Sequence, residues 1–224
     1  MRNLLLSIYN QTINHLPWLR FMRREPPIIE SADLVRFVDQ RAKFIAQTTL
    51  YGYLKARAGT RWVLWFEDEA FVVSIKVATW ELYLQCLADM AVYATAGVGR
   101  TTDAGAEELS RLARHVVHAI LDAEPVPDVR PQGFDDARQA FDTRLATIAW
   151  AEIKDDEGPF QPSCHALVAV APVIDDFKKQ DKEIVLNSIH NKWKLVRDDF
   201  RRLVRAEQVL DDWRTTPTPA GETA

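Results

Sequence analysis

The strongest constraint on the fold is an apolar stripe in the last third of the chain. Apolar side chains recur there in alternating steps of three and four residues, interrupted only by Glu207: Leu186, Ile189, Trp193, Val196, Phe200, Leu203 and Leu210. This spacing places them on one face of a helix, and such a face must pack against other apolar surface. The stripe therefore predicts a long C-terminal amphipathic helix, running from Pro172 to about residue 213.

Helical periodicity extends over most of the chain, whereas strand signals are short and isolated. Further helices are predicted at about 3–15, 32–57, 66–96, 104–123, 134–155 and 163–172. Ser31 and Ser163 are the expected N-caps of two of them, and Gly59 is the expected stop of the helix at 32–57. The helix at 66–96 is apolar nearly all round, which is typical of the centre of a bundle. The sequence thus predicts an all-α, single-domain bundle of five to seven helices.

Three segments are expected along the chain: an N-terminal amphipathic segment with a Pro link at 1–27, the bundle domain at 28–214, and a disordered tail at 215–224. Residues 1–24 combine four Arg and no acid with Leu, Ile, Trp and Phe. This composition is typical of a helix that lies in a membrane interface, so peripheral membrane contact is one interpretation. The other is that this helix folds back onto the bundle.

The bulk composition points to a cytoplasmic protein, with membrane association as the alternative. No signal peptide is visible, and the most apolar region, 70–99, is broken by charged residues, so no transmembrane helix is expected. Two cysteines, Cys86 and Cys164, lie in apolar helical stretches and are expected to be buried thiols. A net charge of −4 gives no indication of nucleic-acid binding, and no cofactor motif is present.

The stretch GTRWVLWFEDEAF, residues 59–71, surrounds consecutive acids with aromatic side chains. The simplest interpretation is structural: carboxylates in the first turn of a helix complement its dipole, and the aromatic rings bury a corner between two antiparallel helices. A second interpretation is a docking surface, because Trp and Arg are enriched at interface hot spots. A third is a metal or acid/base site on two of the acids. The candidate residues are Arg61, Trp62, Trp65, Glu67 and Asp68.

The run TLYGYLKARAGTRW followed by FEDEAFV resembles a family of uncharacterised alphaproteobacterial helical proteins that are often labelled "esterase". Members of that family carry a similar GTR-aromatic corner followed by a Phe-Glu-Asp motif. The resemblance covers residues 35–95 and implies no established catalytic residues. The matching positions are Tyr51, Gly52, Tyr53, Leu54, Gly59, Thr60, Arg61, Phe66, Glu67 and Asp68.

The residues do not favour esterase chemistry of the usual kind. No serine lies between glycines in a G-x-S-x-G elbow, and the alternating strands of an α/β-hydrolase are missing. Cys164 beside His165 is better explained as part of a buried helix. His115, His118 and Asp122 share one helix face that could offer metal ligands, but that face is turned away from the apolar stripe and is expected to point to solvent.

A basic stretch in the last helix supplies the remaining interaction candidates: Lys192, Arg197, Arg201 and Arg205. A charged stretch on a helix is usually its solvated face, yet it can also meet an acidic partner. The favoured function is therefore a non-enzymatic scaffold, adaptor or assembly factor that acts through a protein partner or a homo-oligomer. An esterase-type hydrolase, with a Ser or Cys and one of the histidines, and a peripheral membrane protein are the alternatives.

Overall fold

A computed structural model describes residues 25–216 of the chain. The helices are α1 (Ser31–Ala58), α2 (Trp62–Trp65), α3 (Glu69–Gly99), α4 (Ala106–Ala123), α5 (Asp135–Ala146), α6 (Gln161–Val170), α7 (Asp175–Leu203) and α8 (Ala206–Thr215). Short 3-10 turns lie at Gly59–Arg61, Trp150–Glu152 and Gly158–Phe160. The prediction of an all-α bundle with a long C-terminal helix is confirmed. The predictions for residues 1–24 and for the tail after residue 216 fall outside the described residues.

Helix α3 lies at the centre of the bundle, where α1, α4 and α6 pack around it. Its C-terminal half has apolar side chains on every face, and the structure buries nearly all of them. Gly97 and Gly99 allow the closest approaches, because a Cβ on Gly97 would lie 2.5 Å from the Phe200 ring and one on Gly99 would lie 2.6 Å from Leu109 Cδ1. The all-round apolar character predicted for this helix therefore does correspond to a central position.

The apolar stripe of the last third packs as its spacing predicts. Five side chains of the stripe in α7 are buried in the core: Ile189, Trp193, Val196, Phe200 and Leu203. The Trp193 ring stacks on Phe160 with centroids 4.3 Å apart. Such an aromatic pair contributes about 0.5–1.5 kcal/mol beyond the burial of its area.

The C-terminal stretch is two helices rather than one, because the chain is extended at Val204 and Arg205. The Ile28 N–H donates to the Leu203 carbonyl at 3.0 Å, and the Arg205 N–H donates to the Ile28 carbonyl at 3.0 Å. A continuous helix would use these groups internally. The prediction of a single helix to residue 213 is thus wrong at this point, since pairing with the N-terminal strand-like segment interrupts it.

Two other predicted helix ends also differ from the structure. The helix predicted to residue 155 ends at Ala146, because the chain turns so that Trp150 is buried and its indole N–H donates to Ser110 Oγ at 2.9 Å. Pro172 lies before α7, which begins at Asp175, rather than in its first turn. Gly59, by contrast, does end α1 as predicted.

The two predicted serine N-caps are both wrong, for the same physical reason. Ser31 is the first residue of α1, and its N–H and hydroxyl donate to Asp212 Oδ2 of α8 at 2.8 and 2.7 Å. Ser163 lies inside the first turn of α6, and its N–H donates to Asp89 Oδ2 of α3 at 2.8 Å. In each case a carboxylate from a distant helix accepts the N–H of the serine itself, so the serine lies inside the first turn and the residue before the helix, Glu30 or Phe160, is at the N-cap position.

Candidate interaction surface

The corner between α1 and α3 is built on one glycine and one aspartate. Gly59 has φ +53° and ψ −129°, a conformation that side-chain-bearing residues rarely adopt, and it ends α1. Asp68 caps α3, because its carboxylate accepts hydrogen bonds from the N–H groups of Ala70 at 2.9 Å and Phe71 at 3.3 Å. The two residues fix where the chain leaves one helix and enters the next.

Aromatic rings hold the short helix α2 against its neighbours. Trp62 packs edge-to-face with Tyr51 of α1 at 6.2 Å and with Phe66 at 4.8 Å between ring centroids. Trp65 makes the same kind of contact with Phe71 of α3 at 5.0 Å. All five rings are half-buried, so the aromatic residues serve the corner itself, as the structural interpretation predicted. The two tryptophans leave part of each ring at the surface.

Aliphatic side chains at this corner are unusually exposed. Val63 and Leu64 of α2 are 71% and 57% exposed, and Val73 and Val77, one turn apart on the outer face of α3, are 51% and 40% exposed. Single exposed apolar residues are ordinary, but two such pairs on consecutive helices are typical of an interaction surface. We refer to Val63, Leu64, Val73 and Val77 as the apolar corner.

Exposed acids flank the apolar corner. Glu67, Asp68 and Glu69 follow one another at the turn into α3, and each is exposed. Arg61, the fifth candidate from this stretch, is exposed as well and forms no ion pair with another described residue. Of the five candidates, therefore, Trp62 and Trp65 support the corner, Asp68 caps α3, and Arg61 and Glu67 have side chains free for a partner.

The basic candidates on α7 mostly make contacts within the bundle. Arg197 is buried, and its guanidinium donates to the Asp155 carbonyl at 3.0 Å. Arg201 is paired with the Asp155 carboxylate at 2.8 Å. Arg205 donates to carbonyls at the C-terminal end of α7, and Lys192 lies over the Phe44 ring at 5.9 Å. Two of the four cations are therefore paired with Asp155, and the other two contact a ring or backbone carbonyls of the bundle.

A buried polar cluster joins α3, α5, α6 and α7. The Asp89 carboxylate is fully buried and accepts hydrogen bonds from Arg144 at 2.6 Å and from the Ser163 N–H. The Ser163 hydroxyl donates to the Phe160 carbonyl and accepts from the Trp193 indole. Burial raises the pKa of Asp89 to about 6, although the hydrogen bonds from Arg144 and Ser163 oppose that shift. Sequence reasoning missed this cluster, since its members lie up to a hundred residues apart.

Among residues 25–216, the residues proposed for hydrolysis do not assemble into a nucleophile–base pair. Four serine hydroxyls have other partners. Those of Ser163 and Ser74 donate to backbone carbonyls, that of Ser110 accepts from an indole, and that of Ser31 donates to a carboxylate. Cys164 is buried while His165 beside it is exposed, and burial raises the pKa of the Cys164 thiol to about 12. A protonated, buried thiol is a poor nucleophile. Both cysteines are buried thiols, as expected.

The histidines of α4 are half-buried, so the expectation that they point to solvent is wrong. His115 packs against the Trp213 ring of α8 at 4.9 Å between centroids, whereas His118 Nε2 lies 3.7 Å from Asp142 Oδ1 of α5. They turn toward different neighbouring helices because α5 and α8 pack on either side of α4. Within residues 25–216, no group of three or more potential ligands converges on one point.

Comparison with known proteins adds no relative: no protein-family model matches the chain, and neither a curated protein nor a solved structure is similar to it. Among the described helices, α3 alone is long and apolar enough to cross a membrane, judged by length and composition. The sequence interpretation expected no segment of that kind. The C-terminal half of α3 is buried by other helices, which is also typical of a core helix.

Proposed function

We propose that this protein is a non-enzymatic adaptor that binds a protein partner through the apolar corner. The observation that carries the proposal is the exposure of Val63, Leu64, Val73 and Val77 on two helices that aromatic contacts hold in place. A surface on helices that are already held in place lowers the entropic cost of association, because the backbone that carries it needs no ordering.

The charges around the apolar corner favour a partner that carries basic residues beside an apolar anchor. Glu67, Asp68 and Glu69 lie at the edge of the surface, and opposite charges across an interface accelerate encounter and set orientation. A second copy of the chain is less suited to the same surface. Two-fold pairing through this turn would bring the three acids of one copy close to those of the other, and like charges oppose such contacts.

Two exposed positions on α2 provide the test. Val63→Asp combined with Leu64→Asp adds two charges to the surface without removing any core contact. We expect the double variant to keep its helical circular dichroism and thermal stability, because exposed substitutions usually change stability by less than about 0.5 kcal/mol. The matched control is Ile184→Asp on α7, since Ile184 is 73% exposed and Val63 is 71% exposed.

The readout is tagged purification of the three proteins from the native host. The expected result is a stoichiometric protein that accompanies the wild type and Ile184→Asp, is lost with the double variant, and binds directly when purified. Its binding should weaken as salt increases, since screening reduces attraction to the acidic flank. A partner that the double variant retains, or no partner with any of the three, would contradict the proposal.

A further inference from the structure

A cleft of about 590 Å³ lies at the opposite end of α3 from the apolar corner. The C-terminal end of α3, the start of α4 and the segment after α5 enclose it. Its lining residues are Ala96, Gly99, Arg100, Ala104, Ala106, Leu109, Trp150, Ala151, Ile153, Lys154 and Asp155. This volume lies within the range of roughly 300–1,000 Å³ that is usual for small-molecule sites.

The cleft is preformed, since its walls are fixed by contacts elsewhere. Trp150 is buried, and its indole N–H is held by Ser110 Oγ at 2.9 Å. Leu109 is buried and packs against Gly99, where a Cβ would lie only 2.6 Å from Leu109 Cδ1. Four of the eleven lining residues are alanines, whose side chains are too short to fill the space beside them.

Two cations at the cleft form no ion pair within 4 Å among residues 25–216, although Arg100 lies near enough to Asp155 to favour its ionised form. Arg100 and Lys154 are exposed, and neither forms an ion pair with a described residue. The Arg100 guanidinium lies over the Tyr93 ring at 5.4 Å and makes a long, 3.4 Å hydrogen bond to the Ile153 carbonyl. Ring and carbonyl hold the guanidinium in place but leave most of its donors unused.

The one carboxylate of the lining is already neutralised. Asp155 accepts hydrogen bonds from Arg201 at 2.8 Å and from the Tyr93 hydroxyl at 2.7 Å. Burial opposes ionisation of Asp155, but these hydrogen bonds, together with the positive charges of Arg201 and Arg100, outweigh it and lower the pKa of the carboxyl group. Because Arg201 balances Asp155, the charges that remain at the cleft are those of Arg100 and Lys154, and the cleft is suited to an anion.

We propose that this cleft binds a small organic carboxylate with an apolar, ring-sized body. Arg100 and Lys154 would hold the carboxylate, for which guanidinium and ammonium groups are the usual protein partners. Leu109, Trp150 and Ile153 would cover the apolar body. This site is independent of the apolar corner, which lies at the other end of α3.

A matched pair of probes separates the charge from the apolar body. 2-Naphthoate carries a carboxylate on a naphthalene ring, and 2-naphthylmethanol presents the same ring without the charge. Calorimetric titration into the purified full chain should show binding of 2-naphthoate that is about tenfold tighter than that of the alcohol, as expected for a charge-assisted hydrogen bond. Equal affinity for the two probes, or no binding of 2-naphthoate at millimolar concentration, would overturn the proposal.

Substitutions then locate the binding in the cleft. Arg100→Gln with Lys154→Gln should weaken 2-naphthoate binding about tenfold or more, because it removes both charges. Ala151→Phe should abolish binding, since the ring would occupy the space and Ala151 is exposed, so the fold is retained. The control is Lys182→Gln, which removes an equally exposed cation from α7. Binding that survives Ala151→Phe, or that Lys182→Gln weakens as much, would place the probe elsewhere and refute the assignment.

Discussion

The two halves of α3 have a similar apolar composition but opposite surroundings. Between residues 69 and 80, only Ile75 and Ala78 are buried, and Val73 and Val77 face outward. From residue 82 to residue 98 almost every side chain is buried, because helices α4, α6 and α8 join α1 around α3. Apolar composition alone therefore does not tell which half stabilises the fold and which half offers a surface.

The difference indicates a functional division between the two halves of α3. The C-terminal half contains the buried Asp89 cluster and the close glycine approaches, so changes there should affect the free energy of unfolding. The N-terminal half contributes few buried contacts, so changes on its outer face should affect partner binding instead. The predictions that follow test this division from the largest expected effect to the smallest.

Replacing Asp89 should cause the largest loss of stability. Asp89→Ala removes the acceptor for the buried Ser163 N–H and the partner of Arg144, and we expect a cost of about 3 kcal/mol. Urea unfolding followed by circular dichroism measures it. Asp155→Ala serves for comparison, and it should cost about 1 kcal/mol, because this carboxylate is partly exposed. Equal losses of unfolding free energy for the two variants would mean that burial of the Asp89 cluster does not increase its contribution to stability.

Two glycine substitutions should have opposite signs. Gly99→Ala puts a methyl group against the buried Leu109 side chain, and we expect a destabilisation of about 1–2 kcal/mol. Gly52→Ala, in the middle of α1, meets nothing within 4 Å and should stabilise the protein by about 0.5–1 kcal/mol through helix propensity. Melting temperatures of the two variants and the wild type decide the matter. If both variants are stabilised, the Leu109 side chain moves away from the added methyl group without a loss of stability.

The N-cap at the corner should contribute a smaller term than the buried Asp89 cluster. Asp68→Ala removes the acceptor for two N–H groups of α3, and we expect a cost of about 1 kcal/mol. Glu67→Ala, one residue earlier and outside the helix, should change stability by less than about 0.5 kcal/mol. Chemical unfolding measures both variants. If the Glu67 substitution costs as much as the Asp68 one, general charge effects rather than capping stabilise this end.

Local patterns in the sequence were enough to predict the all-α bundle and the approximate position of most of the described helices. The stripe of α7 and the stop at Gly59 depend on neighbours a few residues away, and spacing reveals them directly. Asp212 at the start of α1 and Asp89 at the start of α6 could not be foreseen, because the carboxylate comes from a helix far along the chain. The break at Val204 has the same origin, since its backbone partner is Ile28.

The cleft was not predicted either, because no run of residues encodes it. Its small floor residues are scattered over α3, α4 and the segment after α5, and an alanine in a sequence carries no sign that it borders a void. Among the interaction candidates, the sequence marked the aromatic corner but not the exposed aliphatic residues beside it. The sequence alone does not distinguish these aliphatic residues from ordinary helix residues, because their exposure depends on the tertiary structure: Val63, Leu64, Val73 and Val77.

The central position of α3 also has a consequence for biosynthesis. The ribosome completes α3 at residue 99, yet α6 and α8, which pack against it, end only at residues 170 and 215. At translation rates of roughly 5–20 residues per second, roughly 6–23 s pass before α8 completes the cover that α1 begins. During that interval the exposed part of the helix is a target for chaperones that recognise apolar segments, and the bundle is complete only when α8 has been made.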